Sequence, residues 1–254
     1  MDGEKKKNRK SALWLTVLII SAVVFAVALA FLIVKFLPSK DKYDDYKNPT
    51  ASEVTPLADN PIDFDALKAE NPDVCGFITI NGTVIDYPIL RSGEKLDEDF
   101  YLDHDMYGKQ KRAGSIYIQR INSADFSDPN TVIYGHNMLN GSMFAVLKKY
   151  RNRQFFDEHR TIRVCVPGHV YNYKIFSAFV YDDRHILNSF DFYSDSGYGE
   201  FIDACLNPTT LIKNVSDDVT VTPGDKIITL STCTSAESER YLVVAVLTED
   251  IPTK

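Results

Sequence analysis

Three residues of this 254-residue chain have the types and settings for nucleophilic chemistry. Cys233 ends the apolar, β-branched run Lys226-Ile227-Ile228-Thr229-Leu230-Ser231-Thr232-Cys233, and Arg240 opens a second such run, Tyr241-Leu242-Val243-Val244-Ala245-Val246-Leu247. The polar segment between them is short enough for a hairpin connection, which predicts a cysteine and an arginine near each other at one end of a sheet. A thiol attacks as its thiolate, so it needs a base or a positive charge close by and a stabiliser facing the carbonyl it attacks. Among the five histidines, His136 has the best setting for proton transfer. It follows the strand-like Thr131-Val132-Ile133-Tyr134 and Gly135, and the glycine is expected to let the chain turn sharply and project the imidazole from a strand end. His104, His159, His169 and His185 lie among charged or turn residues and read as solvated surface groups. Each member of the trio also has an ordinary reading, as core thiol, loop histidine or surface ion-pair arginine. His136 and Cys233 are far apart in sequence, and local pattern alone does not join them.

The elements that must position these residues are mostly strands. Strand signals recur at 76–80, 84–90, 115–118, 131–134, 161–166, 170–180, 226–230 and 241–247, with an Asn81-Gly82 hairpin signal between the first two. Many short strands separated by turns predict a mainly β sandwich or barrel with a few helices. Asn60-Pro61, the apolar Ile62, Phe64, Ala66 and Leu67, and a stop at Asn71-Pro72 predict a short amphipathic helix ahead of the strands. A second short helix is expected over 142–150. A third, over 199–206, falls within the 182–218 connection, which is too long for a plain loop and is the kind of segment on which binding surfaces are built.

Composition is that of a globular chain, 44% hydrophobic and 25% charged, and one folded domain is the default. The N-terminus departs from it. Lys5, Lys6, Lys7, Arg9 and Lys10 precede an uncharged apolar run over 11–34, long enough at about 1.5 Å per residue to cross roughly 30 Å of hydrocarbon. The expected organisation is therefore a cytoplasmic basic tip (1–10), a single transmembrane anchor (11–37), a polar, proline-punctuated linker (38–60) and an extracellular folded domain (61–254). A cleaved signal peptide is the competing reading, with Ala26-Val27-Ala28-Leu29-Ala30 as its small-residue region, and it also exports the rest of the chain. A net charge of -7 with no basic stripe beyond the tip argues against a nucleic-acid partner. Cys75, Cys165 and Cys205 show no CxxC pairing or compact framework spacing and read as small buried hydrophobes. No HExxH or clustered Cys/His spacing calls for a metal, no cofactor is expected, and acidic pairs such as Asp103 with Asp105 or Asp182 with Asp183 read as solvated turn charges.

Tyr134-Gly135-His136-Asn137-Met138, Thr229-Leu230-Ser231-Thr232-Cys233 and Arg240 ahead of Val243-Val244-Ala245-Val246-Leu247 resemble the signature of the sortases, and specifically of class B. The likeness continues in order through Asn71-Pro72-Asp73-Val74-Cys75-Gly76-Phe77-Ile78, Asp86-Tyr87-Pro88-Ile89, Phe100-Tyr101-Leu102, Gly114-Ser115-Ile116-Tyr117 and Gly141-Ser142-Met143-Phe144. The resemblance implies an eight-stranded β-barrel with an N-terminal helix and a helix inserted between strands six and seven, which the 182–218 connection would supply. It also implies a membrane-anchored cysteine transpeptidase. Cys233 would attack the carbonyl carbon of a threonine in a C-terminal sorting signal, His136 would serve as general acid to the leaving amine, and Arg240 would steady the oxyanion or the substrate backbone. Leu102, Tyr134, Ser231 and Thr232 match positions that line or support the substrate groove. The partners implied are surface proteins carrying the sorting signal and an accepting amine of peptidoglycan or its precursor, at the surface of a Gram-positive cell. A class B-type pilus polymerase joining pilins through a lysine is the alternative within the fold. A hydrolytic cysteine peptidase is a further reading, against which an arginine stands where such enzymes place an Asn or Asp orienter of the histidine. A non-enzymatic surface binding domain with a buried cysteine is the last.

Overall fold

The computed structural model describes residues 21–27, 29, 43, 46, 47, 57–234 and 238–254. The expected tip, most of the anchor and most of the linker lie outside them. Of the anchor, 21–27 and 29 are helical, and among the described residues no helix is long and apolar enough to cross a membrane. The chain divides into two units, Met1–Ser39 and Lys40–Lys254, and all the strands named below belong to the second.

Nine strands form one sheet: β1 (Val74–Ile80), β2 (Asp86–Arg91), β3 (Ile116–Ile118), β4 (Asn130–Tyr134), β5 (Thr161–Val166), β6 (His169–Asp182), β7 (Lys213–Val215), β8 (Ile227–Cys233) and β9 (Glu239–Pro252). Their order is β5-β1-β2-β3-β4-β8-β9-β6-β7, and β5 also pairs with β6. That extra pairing closes eight strands into a barrel and leaves no long open edge. The short β7 hangs on β6 at Ser177 to Phe179, beyond the stretch that β5 occupies. The predicted eight-stranded barrel is thus observed, with β7 as a ninth strand outside the ring.

Strands β4, β8 and β9 read as nearly continuous apolar runs because both of their faces are covered. Ile133, Ile228, Leu230, Val243 and Ala245 face the barrel interior, where they pack with Phe144, Tyr150 and Phe156. Val132, Ile227, Leu242, Val244 and Val246 belong to a second core with Phe201, Ile202 and Cys205. Full burial of each such side chain is worth about 1.5–3 kcal/mol. A third core joins Leu67, Phe77, Leu90 and Tyr101 beneath helix α1 (Phe64–Glu70).

Helix α1 lies where the sequence predicts a helix, opened by Asp63, whose carboxylate accepts from the Ala66 amide. The segment expected as a helix over 142–150 is a 3-10 helix, Phe144–Arg151, that continues past the Asn152 cap into α2 (Arg153–Glu158). The β6–β7 connection carries α3 (Ile186–Ser189) and α4 (Asp195–Leu206). The latter begins four residues ahead of the expected 199. Its Ser194 cap accepts from the Gly197 amide at 3.2 Å, and the low helix propensity of Gly197 and Gly199 hides that start in the sequence.

Candidate active site

The β8–β9 hairpin sets Cys233 directly opposite Arg240, as the spacing predicts. Cys233 is exposed at the strand end, whereas Cys75, Cys165 and Cys205 are buried and unpaired. Burial pushes the Cys75 thiol up to about 12, against attraction from Arg91, and the Cys165 thiol up to about 11. Cys205 is driven well above its ordinary value for the same reason. These three are core atoms. Arg240 is half-buried and donates through Nη1 to the Glu239 carbonyl at 3.1 Å.

His136 is delivered by β4, which runs parallel to β8 with Tyr134 opposite Ser231. The Gly135 amide donates to the Ser231 carbonyl at 3.2 Å, and the chain then leaves the sheet. Gly135 is needed for a different reason from the sharp turn expected of it. A Cβ there would lie 2.5 Å from Ile116 Cδ1 and 2.7 Å from Phe144 Cδ2, so the requirement is close packing against buried rings and not a left-handed backbone. The His136 carbonyl accepts from the Phe144 amide at 2.9 Å. Its Nε2 lies 2.7 Å from the Leu102 carbonyl, which only accepts, so Nε2 carries the proton. Gly114 (φ +55°) passes close behind that carbonyl, and a Cβ there would come within 2.2 Å of it. The Asn137 side chain donates through Nδ2 to the Cys233 carbonyl at 3.0 Å.

His136, Cys233, Arg240, Leu102, Tyr134, Ser231 and Thr232 all line one groove of about 330 Å³. Leu102 is 43% exposed there, whereas Ser231 and Thr232 are buried beside the thiol and support the floor. The groove also contains a polar chain that the sequence does not announce. The Asp99 carboxylate accepts from the Tyr117 hydroxyl at 3.1 Å and from Gln119 Nε2 at 2.9 Å. Gln119 Oε1 then accepts from His185 Nε2 at 2.7 Å. His185 is therefore a half-buried wall residue tied to the floor beside β3, and not the solvated surface group its neighbours suggest. Its sequence setting, Asp182-Asp183-Arg184-His185, carries no signal of this, because the contact arises only when the β6–β7 connection folds back. At the rim, Asp182 and Arg184 pair with each other at 2.8 Å, in keeping with turn charges. Burial first and the Asp99 charge second hold the Tyr117 and Tyr134 phenols above their ordinary value, so both face the groove as neutral hydroxyls. Among the described residues no group of His, Cys, Asp and Glu is arranged to hold a metal ion.

An exposed thiol, an imidazole carrying a proton and a guanidinium on one groove form the equipment of acyl transfer through a thioester. The sequence matches the family profile described as Sortase domain over residues 78–248. It is 34% identical to Sortase B of Staphylococcus aureus over 185 residues, covering 72% of this chain and 73% of that protein. It is 36% identical to Sortase B of Listeria monocytogenes over 167 residues, covering 66% of this chain and 65% of that protein. Among solved structures, a Staphylococcus aureus sortase B–substrate complex superposes with a TM-score of 0.64 at 31% identity, covering 74% of this chain and 85% of that one. The chain belongs to the sortase family, class B, and is a cysteine transpeptidase.

Proposed function

We propose that this sortase is anchored outside the membrane by its apolar N-terminal run and there joins surface proteins to peptidoglycan. The observation that carries the reading is the register pair Cys233–Arg240 sharing a groove with His136. The Cys233 thiolate attacks the carbonyl carbon of the sorting-signal threonine, and the oxyanion that forms is stabilised by the Arg240 guanidinium. His136, charged as the imidazolium beside the thiolate and oriented by its Nε2–H on the Leu102 carbonyl, gives a proton to the leaving amide nitrogen and becomes neutral imidazole. The thioester left on Cys233 is opened by an amine of peptidoglycan or its precursor, with the imidazole taking up the amine's proton. Leu102, Tyr134, Ser231 and Thr232 line and support the groove that holds the signal in extended form. The solved sortase B–substrate complex of Staphylococcus aureus, a structure this chain resembles, supports the binding of a substrate by this fold. Tethering enzyme and substrates to one surface raises their effective concentration and offsets modest turnover.

The test is Cys233→Ala in the Lys40–Lys254 unit with a fluorescent sorting peptide. Loss of all cleavage is expected, and undiminished cleavage would sink the assignment. Mass analysis of products formed with oligoglycine, with diaminopimelate-type amines or with pilin subunits identifies the acceptor. Covalent pilin ladders would replace cell-wall anchoring by pilus assembly, and indifference to every amine would point to a peptidase.

A further inference from the structure

The last backbone rung between β4 and β8 runs from the Gly135 amide to the Ser231 carbonyl. Rungs of this kind in a parallel ladder recur every second residue on both strands, so the next would run from the Asn137 amide to the Cys233 carbonyl. The chain has by then left the sheet to present His136. The Asn137 side chain reaches back instead, and its Nδ2 donates to the Cys233 carbonyl. Asn137 also bridges Met143 across the loop, where Gly141 (φ +81°) and Met143 (φ +56°) take left-handed conformations. Because a carbonyl only accepts, the amide nitrogen must face Cys233, and Oδ1 is left buried without a partner among the described residues. A buried acceptor left unpaired is a standing cost, and here it accompanies a bond to the nucleophile's own residue.

We propose that Asn137 is a positioning residue whose side-chain amide stands in for the missing ladder rung. It locks the backbone of Cys233 to the base of the loop carrying His136, so that thiol and imidazole keep one geometry although His136 lies outside the sheet. The inference rests on the roles proposed above for Cys233 and His136. It assigns Asn137 no contact with substrate. Its loss should leave peptide binding intact and misplace the reacting groups, an error that costs about 10- to 100-fold in turnover when it approaches an ångström.

The experiment compares wild type, Asn137→Ala, Asn137→Asp and Cys233→Ala in the fluorescent-peptide assay, with circular dichroism as the check on folding. For Asn137→Ala, kcat should fall about 10- to 100-fold with KM within about twofold of wild type. The rate of Cys233 alkylation by iodoacetamide should stay within about twofold, since the thiol remains exposed. Asn137→Asp adds a signature that a merely structural role would not produce. Ionised, the new carboxylate offers no donor and opposes the Cys233 carbonyl, whereas protonated it restores a donor. The ratio of Asn137→Asp to wild-type kcat should therefore rise by about threefold or more from pH 7.5 to pH 4.5, as a carboxyl with an ordinary value near 4 gains its proton, while the Asn137→Ala ratio stays flat. A kcat within twofold of wild type for Asn137→Ala, or a flat ratio for Asn137→Asp, overturns the proposal. If Cys233→Ala is inactive in that case, only the role of Asn137 fails. If Cys233→Ala is active, the reading on which it rests fails as well.

Discussion

Cys233 differs from Cys75, Cys165 and Cys205 in being exposed at a strand end, while the others are core atoms whose thiols burial holds above their ordinary value. Only the thiolate reacts, so at pH 8 the native protein is expected to take up one iodoacetamide and the unfolded protein four. Peptide mapping should place the single label on Cys233, and Cys233→Ala should take up none on the same timescale. Rapid labelling of a second site would show that one of the three is accessible. The burial of Cys75 and Cys205 was legible from their apolar settings, whereas the exposure of Cys233 was not, because it too ends an apolar run. Asp99, Gln119 and His185 were not legible, because their partners lie on separate segments and their own neighbours are polar. A hydrogen-bond chain among residues that each look like surface leaves no local trace.

The elements that deliver the site differ in how much of themselves they disclose. β8 and β9 are covered on both faces, so their sequences are uninterrupted apolar runs and their hairpin register follows from a short connection. β7 is only the three residues Lys213–Val215 hung on β6, too short and polar to announce itself. The end of β4 shows a motif read correctly for the wrong reason. Gly135 does precede the departure of His136 from the sheet, yet its requirement comes from Ile116 and Phe144, both at most 1% exposed, with no room for a methyl group between them. Gly135→Ala is therefore expected to destabilise the fold by about 1–3 kcal/mol through overpacking. Urea denaturation followed by circular dichroism measures this. Stability equal to wild type, with activity kept, would mean that the Phe144 ring can give way, and the glycine would then serve backbone freedom after all.

At the scale of the whole molecule, β4, β8 and β9 separate two cores, the barrel interior and the layer under the β6–β7 insert, and the groove lined by Cys233, His136 and Arg240 opens at one end of that shared wall. The mainly β class was legible in the strand signals. The closed eight-stranded barrel came only with the resemblance, because pairing β5 with β1 and β8 with β4 joins segments far apart in the chain. So many buried thiols and phenols have a consequence for stability. Cys75 and Cys165 are pushed up to about 12 and about 11 from 9.0, and burial also raises Tyr101, Tyr117, Tyr134, Tyr150, Tyr173, Tyr198 and Tyr241 above 10.0. The folded form holds these protons after the unfolded chain has lost them. Above the ordinary value of each group, 9.0 for the thiols and 10.0 for the phenols, the unfolded state binds fewer protons, the slope of unfolding free energy with pH is negative, and the group contributes a loss of about 1.4 kcal/mol per pH unit until its own folded value is passed. Stability that these groups provide is fully present below pH 9 and is lost as pH rises through 11 and 12. Urea midpoints measured from pH 7 to 11 should be level to about 8.5 and then drop, with the phenolate absorbance of the buried tyrosines appearing together with unfolding and that of exposed Tyr107 and Tyr193 before it. Phenolate absorbance from all fourteen tyrosines while the protein remains folded would show that the cores are open to water, and the two-sided wall that carries Cys233 would be less well sealed than its burial indicates.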